Sequence, residues 1–374
     1  MPESQRARTL IRWLLALFAG VVLLLLVEGV WRGVGFIRTG TWPLTKAESY
    51  KRFVESIGSA YERHPYYLVR GRPGAGFVIA GHQVSFNSRG HRGGETAMPK
   101  PPGRFRVVCV GGSTTFDLLA ADDASTWPSL LAAKLGPRFD VVNAGFAGWT
   151  TVENLSSLAL REIDLAPDLI IVFAGLNDLQ PGSYRPVSRD YVRGHADVLP
   201  QVLGVDPIPI RFASHFLMIE WLLKQIAPSR DDVQGYSPAW GWNGGKRDRR
   251  VPRESVDVFR RNLRSIIAVG RSAGAGVLVI AQAVRLRQNQ PGDRQYVESW
   301  IPGLTSDGIV DSLWIYNTAA SEVARAQGVR FLDPFGSGAF SDADFADPYH
   351  FSRSGSGRFA ASLEPLVREA AAAP

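Results

Sequence analysis

Residues Arg106 to Asp117 read RVVCVGGSTTFD. The unbroken apolar run from Val107 to Val110 is what a short strand covered on both faces requires, since a strand with one wet face alternates. Gly111 and Gly112 then end it in a turn, and Ser113 follows at once. On these residues alone three uses of the turn stay open. The glycines can cradle a phosphate, they can let Ser113 stand out as a nucleophile, or Ser113 can simply cap the next helix.

Working outward, four more runs have the same character: FDVVNAGFAG from Phe139, DLIIVFAG from Asp168, GVLVIAQAV from Gly276 and GVRFLDP from Gly328. Between them lie helix-like segments, TWPSLLAAKLG, TVENLSSLALREIDL, RESVDVFRRNLRSIIAVGRSAG and WIYNTAASEVARAQG. Strands alternating with helices predict a doubly wound α/β domain with helices on both faces. Ligands of such sheets bind beyond the carboxyl ends of the strands.

The N-terminus is of another kind. Trp13 to Trp31 reads WLLALFAGVVLLLLVEGVW, broken only by Glu28. At ~1.5 Å per residue it spans about 28 Å, the thickness of a bilayer's hydrocarbon. Tryptophans stand at both ends, and Arg6, Arg8 and Arg12 ahead of the run favour a cytoplasmic N-terminus against Arg32 and Arg38 beyond it. A cleaved signal peptide has a shorter core and a small-x-small site, which VEGVWRGVG supplies poorly, so an uncleaved anchor is the expectation. The boundaries expected are a cytoplasmic tail at 1–12, a transmembrane anchor at 13–31, a linker and hairpin segment at 32–103, and the α/β domain at 104–374. In the third, FVIAGHQVSFNSRGHRG alternates as a hairpin does and MPKPPGR reads as a linker. An insertion at about 180–253 interrupts the domain. It holds FASHFLMIEWLLKQIA, expected to be a packing helix, and the tryptophan-rich YSPAWGWNGG, which fits a sugar platform or a pinned loop equally.

Composition narrows the function. Of 374 residues 45% are hydrophobic and 21% charged, as in an ordinary globular protein. The net charge of +7 comes from 42 basic residues, all but six of them arginine, and these are scattered. No basic stripe interleaved with aromatics is present, so nucleic acid is not the expected partner. Cys109, the only cysteine, sits within the apolar strand and says nothing of redox compartment.

The phosphate reading of the turn fails because no lysine follows Gly112 before Lys134, and no third spaced glycine makes a dinucleotide fingerprint. The six histidines show no metal-ligand spacing, and DADFAD at Asp342–Asp347 lacks the glycine and distal glutamate of a calcium loop. No metal or cofactor is expected. His82 and His91 read as surface or packing residues, Asp178 as a residue that pins its own loop, and Thr114 and Thr115 as helix caps.

A nucleophilic serine needs a base, a group that orients the base, and donors for the oxyanion. DPYH near the C-terminus puts Asp347 and His350 three apart, after the last strand and before a helix, at the sheet edge where Ser113 also falls. At that edge Gly148 can offer a backbone N–H and Asn177 its side-chain amide, beside the N–H of Ser113.

The order Ser, Gly, Asn, Asp-x-x-His resembles the SGNH branch of the GDSL hydrolase superfamily, with GGSTT, NAGFAG, GLND and DPYH as its four blocks. FNSRGHRG upstream is similar to membrane-anchored bacterial members. The resemblance covers Phe105 to about Leu366. It implies a three-layer α/β/α fold with a mainly parallel, five-stranded flavodoxin-like sheet. It implies Ser113 as nucleophile, His350 as base, Asp347 as its orienter, and Ser113, Gly148 and Asn177 as oxyanion donors. It departs in one place, reading Gly111-Gly112-Ser113 where the family has Gly-Asp-Ser. The implied activity is acyl ester hydrolysis on an O-acylated carbohydrate or another small ester, by a single-pass protein of the bacterial inner membrane with its catalytic part on the periplasmic side. Two alternatives stay open: an O-acyltransferase on surface polysaccharide, and a non-catalytic, membrane-tethered polysaccharide-binding or assembly factor. The partners expected are the ester, such as an acylated glycan, and membrane lipid through the anchor.

Overall fold

A computed structural model describes residues 3–39, 60–79, 81–191, 216–217, 247–336 and 338–372. The chain divides into two compact units, residues 1–54 with 203–232, and residues 55–202 with 233–374.

In the first unit α1 runs from Glu3 to Thr39. It is long and apolar enough to cross a membrane, because its leucines, valines and phenylalanines point outward on all sides. Glu28 is held by Arg32 one turn on, at 2.8 Å, so the charge that interrupts the apolar run is paired within the helix.

In the second unit β5 (Phe105–Gly111), β6 (Phe139–Asn143), β7 (Leu169–Phe173), β8 (Gly276–Ile280) and β9 (Arg330–Leu332) form one parallel sheet in the order β6-β5-β7-β8-β9. All five strands coincide with the apolar runs of the sequence. Their side chains divide by parity, as a period of two demands. Val108, Val110, Ile170 and Val172 face one core, and Val107, Cys109, Leu169 and Ile171 face the other.

The first core is closed by α4 (Thr151–Leu160), α6 (Arg253–Ser272) and α8 (Ser306–Ala326). In α6, Val256, Phe259, Leu263 and Ile266 recur every three or four residues and make one buried stripe. The second core is closed by α3 (Trp127–Leu135) and α9 (Arg353–Ala372), through Trp127, Leu131, Phe359 and Leu363. The result is a three-layer α/β/α unit. Local signals start its helices. Thr126 caps α3, which has Pro128 in its first turn, and Thr150 and Glu153 form a capping box on α4. The helix expected from Trp314 begins earlier, at Ser306, because Thr305 caps it and Ile309 and Leu313 extend its apolar stripe toward the N-terminus.

The segment before the sheet forms two antiparallel hairpins, β1 (Tyr61–His64) with β2 (Leu68–Gly71), and β3 (Gly76–Ile79) with β4 (His82–Ser85). The second is the hairpin expected from the alternation. They are not set apart from the sheet. Tyr67, Phe77 and Phe86 join Phe116, Phe146 and Trp149 in a third aromatic core, and the Trp149 indole donates to the Val69 carbonyl at 3.1 Å. MPKPPGR is likewise tied down, with Lys100 on Asp168 at 2.7 Å. Two short helices stand at the sheet's carboxyl edge, α2 (Ser113–Phe116) and α5 (Leu179–Gly182), and α7 (Gly292–Trp300) follows β8. Most of FASHFLMIEWLLKQIA and all of YSPAWGWNGG lie outside the described residues.

Candidate active site

Every residue from Gly111 to Asp117 is buried except Ser113. The turn achieves this by pressing its neighbours into the sheet. A Cβ on Gly111 would lie 2.1 Å from the Phe173 carbonyl oxygen at the end of β7, so the backbone passes where no side chain fits. Thr115 donates to that same carbonyl at 2.9 Å, and the Thr114 hydroxyl lies 3.3 Å from the Gln282 amide just past β8. The two threonines therefore do not cap α2, whose N-cap Gly112 has no side-chain bond. The strand ends offer them closer partners. The Trp127 indole donates to the Thr114 carbonyl at 3.0 Å and braces the turn from α3.

His350 reaches Ser113 from the far end of the chain. Its Nε2 stands 2.9 Å from Ser113 Oγ, and its Nδ1 stands 2.7 Å from Asp347 Oδ2. The short loop before α9 makes this possible. Asp347 Oδ1 accepts the backbone N–H groups of Tyr349 and His350, both at 2.8 Å, which folds the chain back on its own carboxylate. A fourth donor, the Tyr296 hydroxyl on α7, reaches Asp347 Oδ2 at 3.1 Å. Burial alone would raise the Asp347 pKa. The adjacent His350 and these hydrogen bonds outweigh it and hold the carboxyl below its ordinary value. A carboxylate only accepts, so Nδ1 carries the proton and Nε2 is left as the acceptor facing Ser113.

On the opposite side of the turn, the Asn177 amide lies against Gly112 and donates to the Trp149 carbonyl at 2.9 Å. One hydrogen of that amide stays available. Gly148 is left-handed at φ +82, which turns the 146–149 loop beside Gly112. Among the described residues, the backbone N–H groups of Ser113 and Gly148 donate to no protein group. Thus Ser113, His350 and Asp347 are joined in one hydrogen-bonded row, and Asn177 is brought to the residue preceding the serine. Such a row can move a proton from a hydroxyl to an imidazole, and free N–H groups can accept a developing negative charge.

Asp178 pins its loop, as its place beside Asn177 suggested. It is buried and accepts the Thr151 N–H at 3.0 Å together with the Thr151 hydroxyl, which fastens the Asn177 turn to the start of α4. Burial lifts its pKa to about 7. His91 is a packing histidine, its Nε2 2.8 Å from the buried Glu162. No group of three His, Cys, Asp or Glu side chains among the described residues is placed to hold a metal. DADFAD instead supplies Asp344, which caps its own turn, and Asp347. Tyr296, Asp117 and Arg92 were not marked as site residues from the sequence. Asp117 closes the stretch RVVCVGGSTTFD itself, whereas nothing local ties Tyr296 or Arg92 to the site.

No curated protein matches the chain. Among solved structures, a GDSL-like lipase from Bacteroides thetaiotaomicron is 13% identical over 71% of this chain and 88% of its own, with a TM-score of 0.40. An aryl esterase from M. smegmatis is 17% identical over 71% and 99%, with a TM-score of 0.38. The model of the GDSL-like lipase/acylhydrolase family matches residues 109–358. Because that match runs from the first central strand through the loop of His350 and into α9, the chain belongs to the GDSL-like lipase/acylhydrolase family.

Proposed function

We propose that the protein is a serine-dependent acyl ester hydrolase whose catalytic residues are Ser113, His350 and Asp347. The observation that carries this reading is the unbroken row Ser113 Oγ, His350 Nε2, His350 Nδ1, Asp347 Oδ2, at 2.9 and 2.7 Å. His350 takes the Ser113 proton on Nε2 as Oγ attacks the ester carbonyl carbon. The imidazolium is stabilised through Nδ1–H by Asp347, and the oxyanion is received by the N–H groups of Ser113 and Gly148 and the Asn177 amide. His350 then gives its proton to the departing alcohol oxygen, leaving an acyl group on Ser113. An acceptor hydroxyl, deprotonated by the same imidazole, removes the acyl group. With water as acceptor the reaction is hydrolysis. A sugar hydroxyl would make it an O-acyl transfer.

The substrate class proposed is an O-acylated carbohydrate or another small ester, met outside the cytoplasmic membrane of a bacterium. Residues 13–31 would be the span, 1–12 the cytoplasmic tail, 32–103 the connecting segment and 104–374 the catalytic domain. The apolar α1 supports the tether. The test is turnover of p-nitrophenyl acetate by the full chain and by Ser113→Ala. Loss of turnover in the variant, with a fluorophosphonate labelling Ser113 of the native protein, is the expected result. A Ser113→Ala protein as active as the native one would overturn the assignment. Incubation with an acetylated glycan separates the acceptors, since hydrolysis releases acetate and transfer moves it.

A further inference from the structure

Asp117 closes the turn that Ser113 opens. Its backbone is left-handed, at φ 59, and its carbonyl is held by Arg92 Nη1 at 2.7 Å. Its carboxylate is fully buried. Oδ2 accepts the Trp127 N–H and the Ser356 hydroxyl, each at 2.7 Å, and Oδ1 has no hydrogen-bond partner. Burying a carboxylate this way is costly, and burial lifts its pKa to about 6. Ser356 is itself buried, in the first turn of α9, six residues after His350.

The Asp117–Ser356 bond therefore joins the same two segments as the Ser113–His350 bond, at sequence separations of 239 and 237 residues. The two differ in what happens to them during acyl transfer. When Oγ of Ser113 carries an acyl group it has no proton, and its bond to His350 is gone. His350 must still stand in place to activate the acceptor. A tie between the turn and α9 that does not involve Oγ survives that stage.

We propose that Asp117 and Ser356 are positioning residues whose bond holds the His350 segment against the Ser113 turn through the acyl-enzyme stage. This rests on the reading of Ser113 and His350 given above. Trp127 reinforces the tie. Its N–H shares Asp117 Oδ2 with Ser356, its indole holds the Thr114 carbonyl, and its ring meets Phe359 of α9 edge-on at 5.0 Å. Displacements on the order of 1 Å cost up to about 100-fold in rate, so the loss should fall chiefly on deacylation.

The test is Ser356→Ala in the full chain, assayed with p-nitrophenyl acetate in the steady state and in the burst. The expected result is a kcat lowered about 10-fold with kcat/KM within about threefold of native and the burst of p-nitrophenol retained, because KM falls with deacylation. Ser312→Ala serves as control. It removes a buried hydrogen bond, Val251 N to Ser312 Oγ at 3.0 Å, away from the site, and should leave kcat unchanged. If Ser356→Ala does not fold, Ser356→Cys fills the same volume with a feeble donor and should show the same pattern. A native kcat in the variant, or equal losses in kcat and kcat/KM, overturns the proposal. Turnover surviving in Ser113→Ala would instead remove the reading beneath it.

Discussion

The Asn177 amide occupies the space that a side chain at Gly112 would need. A Cβ there would lie 2.4 Å from Asn177 Nδ2 and 3.2 Å from the Trp149 carbonyl oxygen. With Asn177 packed so closely on the backbone, a side chain at residue 112 requires the amide to give way. Gly112→Ala must push the amide out of the site. The expected outcome is a kcat lowered by about 10²–10³-fold, the usual cost of one lost oxyanion donor, with fluorophosphonate labelling of Ser113 slowed alongside. Native labelling in this variant would separate Asn177 from the oxyanion.

Asp347 gathers four donors, from His350 Nδ1, two backbone N–H groups and Tyr296. Asp347→Asn keeps the shape but puts an amide opposite Nδ1, so the wrong ring nitrogen can face Ser113. A kcat loss of about 10³–10⁴-fold is expected. Tyr296→Phe removes only one of the four donors, and a typical hydrogen bond is worth about 1 kcal/mol, so its loss in kcat should stay under about 10-fold. Steady-state kinetics on both variants checks the order, and a Tyr296→Phe loss as deep as that of Asp347→Asn would contradict it.

The five strands are legible in the sequence because each is a continuous apolar run, and burial on both faces leaves little else that such a run can become. Ser113 and Asn177 were legible as candidates because each falls in a short turn after a strand, and Asp347 and His350 because DPYH sets them three apart just before a helix. Asp117 and Ser356 were not. Their bond crosses 239 residues and depends on how α3 and α9 pack, which no local pattern records. Arg92 was hidden for a similar reason. In FNSRGHRG it looks like one more surface arginine, yet its guanidinium is wholly buried beneath the Ser113 turn.

Burial raises Asp178 to about 7 from an ordinary value of 3.8. A folded-state pKa above the unfolded one means that the native protein holds the proton longer. Stability from this group is therefore full below about pH 4, falls as pH rises toward 7, and is level above that. Asp178→Asn mimics the protonated acid and removes the slope. Each pKa unit is worth about 1.4 kcal/mol, so the variant should be more stable than native by on the order of a few kcal/mol at pH 8. The difference should vanish near pH 4. Urea unfolding of the two proteins at both pH values measures it, and equal stability at pH 8 would contradict the expectation.

Arg92 joins the upstream hairpins to the Ser113 turn. Its Nε pairs with Asp123 at 2.8 Å, Nη1 donates to the carbonyls of Phe116 and Asp117 at 3.1 and 2.7 Å, and Nη2 reaches the Gln83 carbonyl at 3.2 Å. The guanidinium also stacks on the Phe116 ring, 4.9 Å from its centroid. Lysine cannot serve four acceptors in one plane, so Arg92→Lys is not conservative here. Three of these acceptors keep a second donor, the Asn143 amide on Phe116, the Ala120 N–H on Asp117 and the Ser85 N–H on Asp123, so the loss is of hydrogen bonds worth about 1 kcal/mol each rather than of orphaned groups. Arg92→Lys should therefore lower stability by on the order of a few kcal/mol and slow turnover through the loosened turn. A chain beginning at residue 104 should do worse, since Phe116, Phe146 and Trp149 would lose the aromatic cover of Tyr67, Phe77 and Phe86. Urea unfolding and p-nitrophenyl acetate turnover of both proteins check this. Native stability and activity in the shortened chain would mean that the hairpins are dispensable to the catalytic unit.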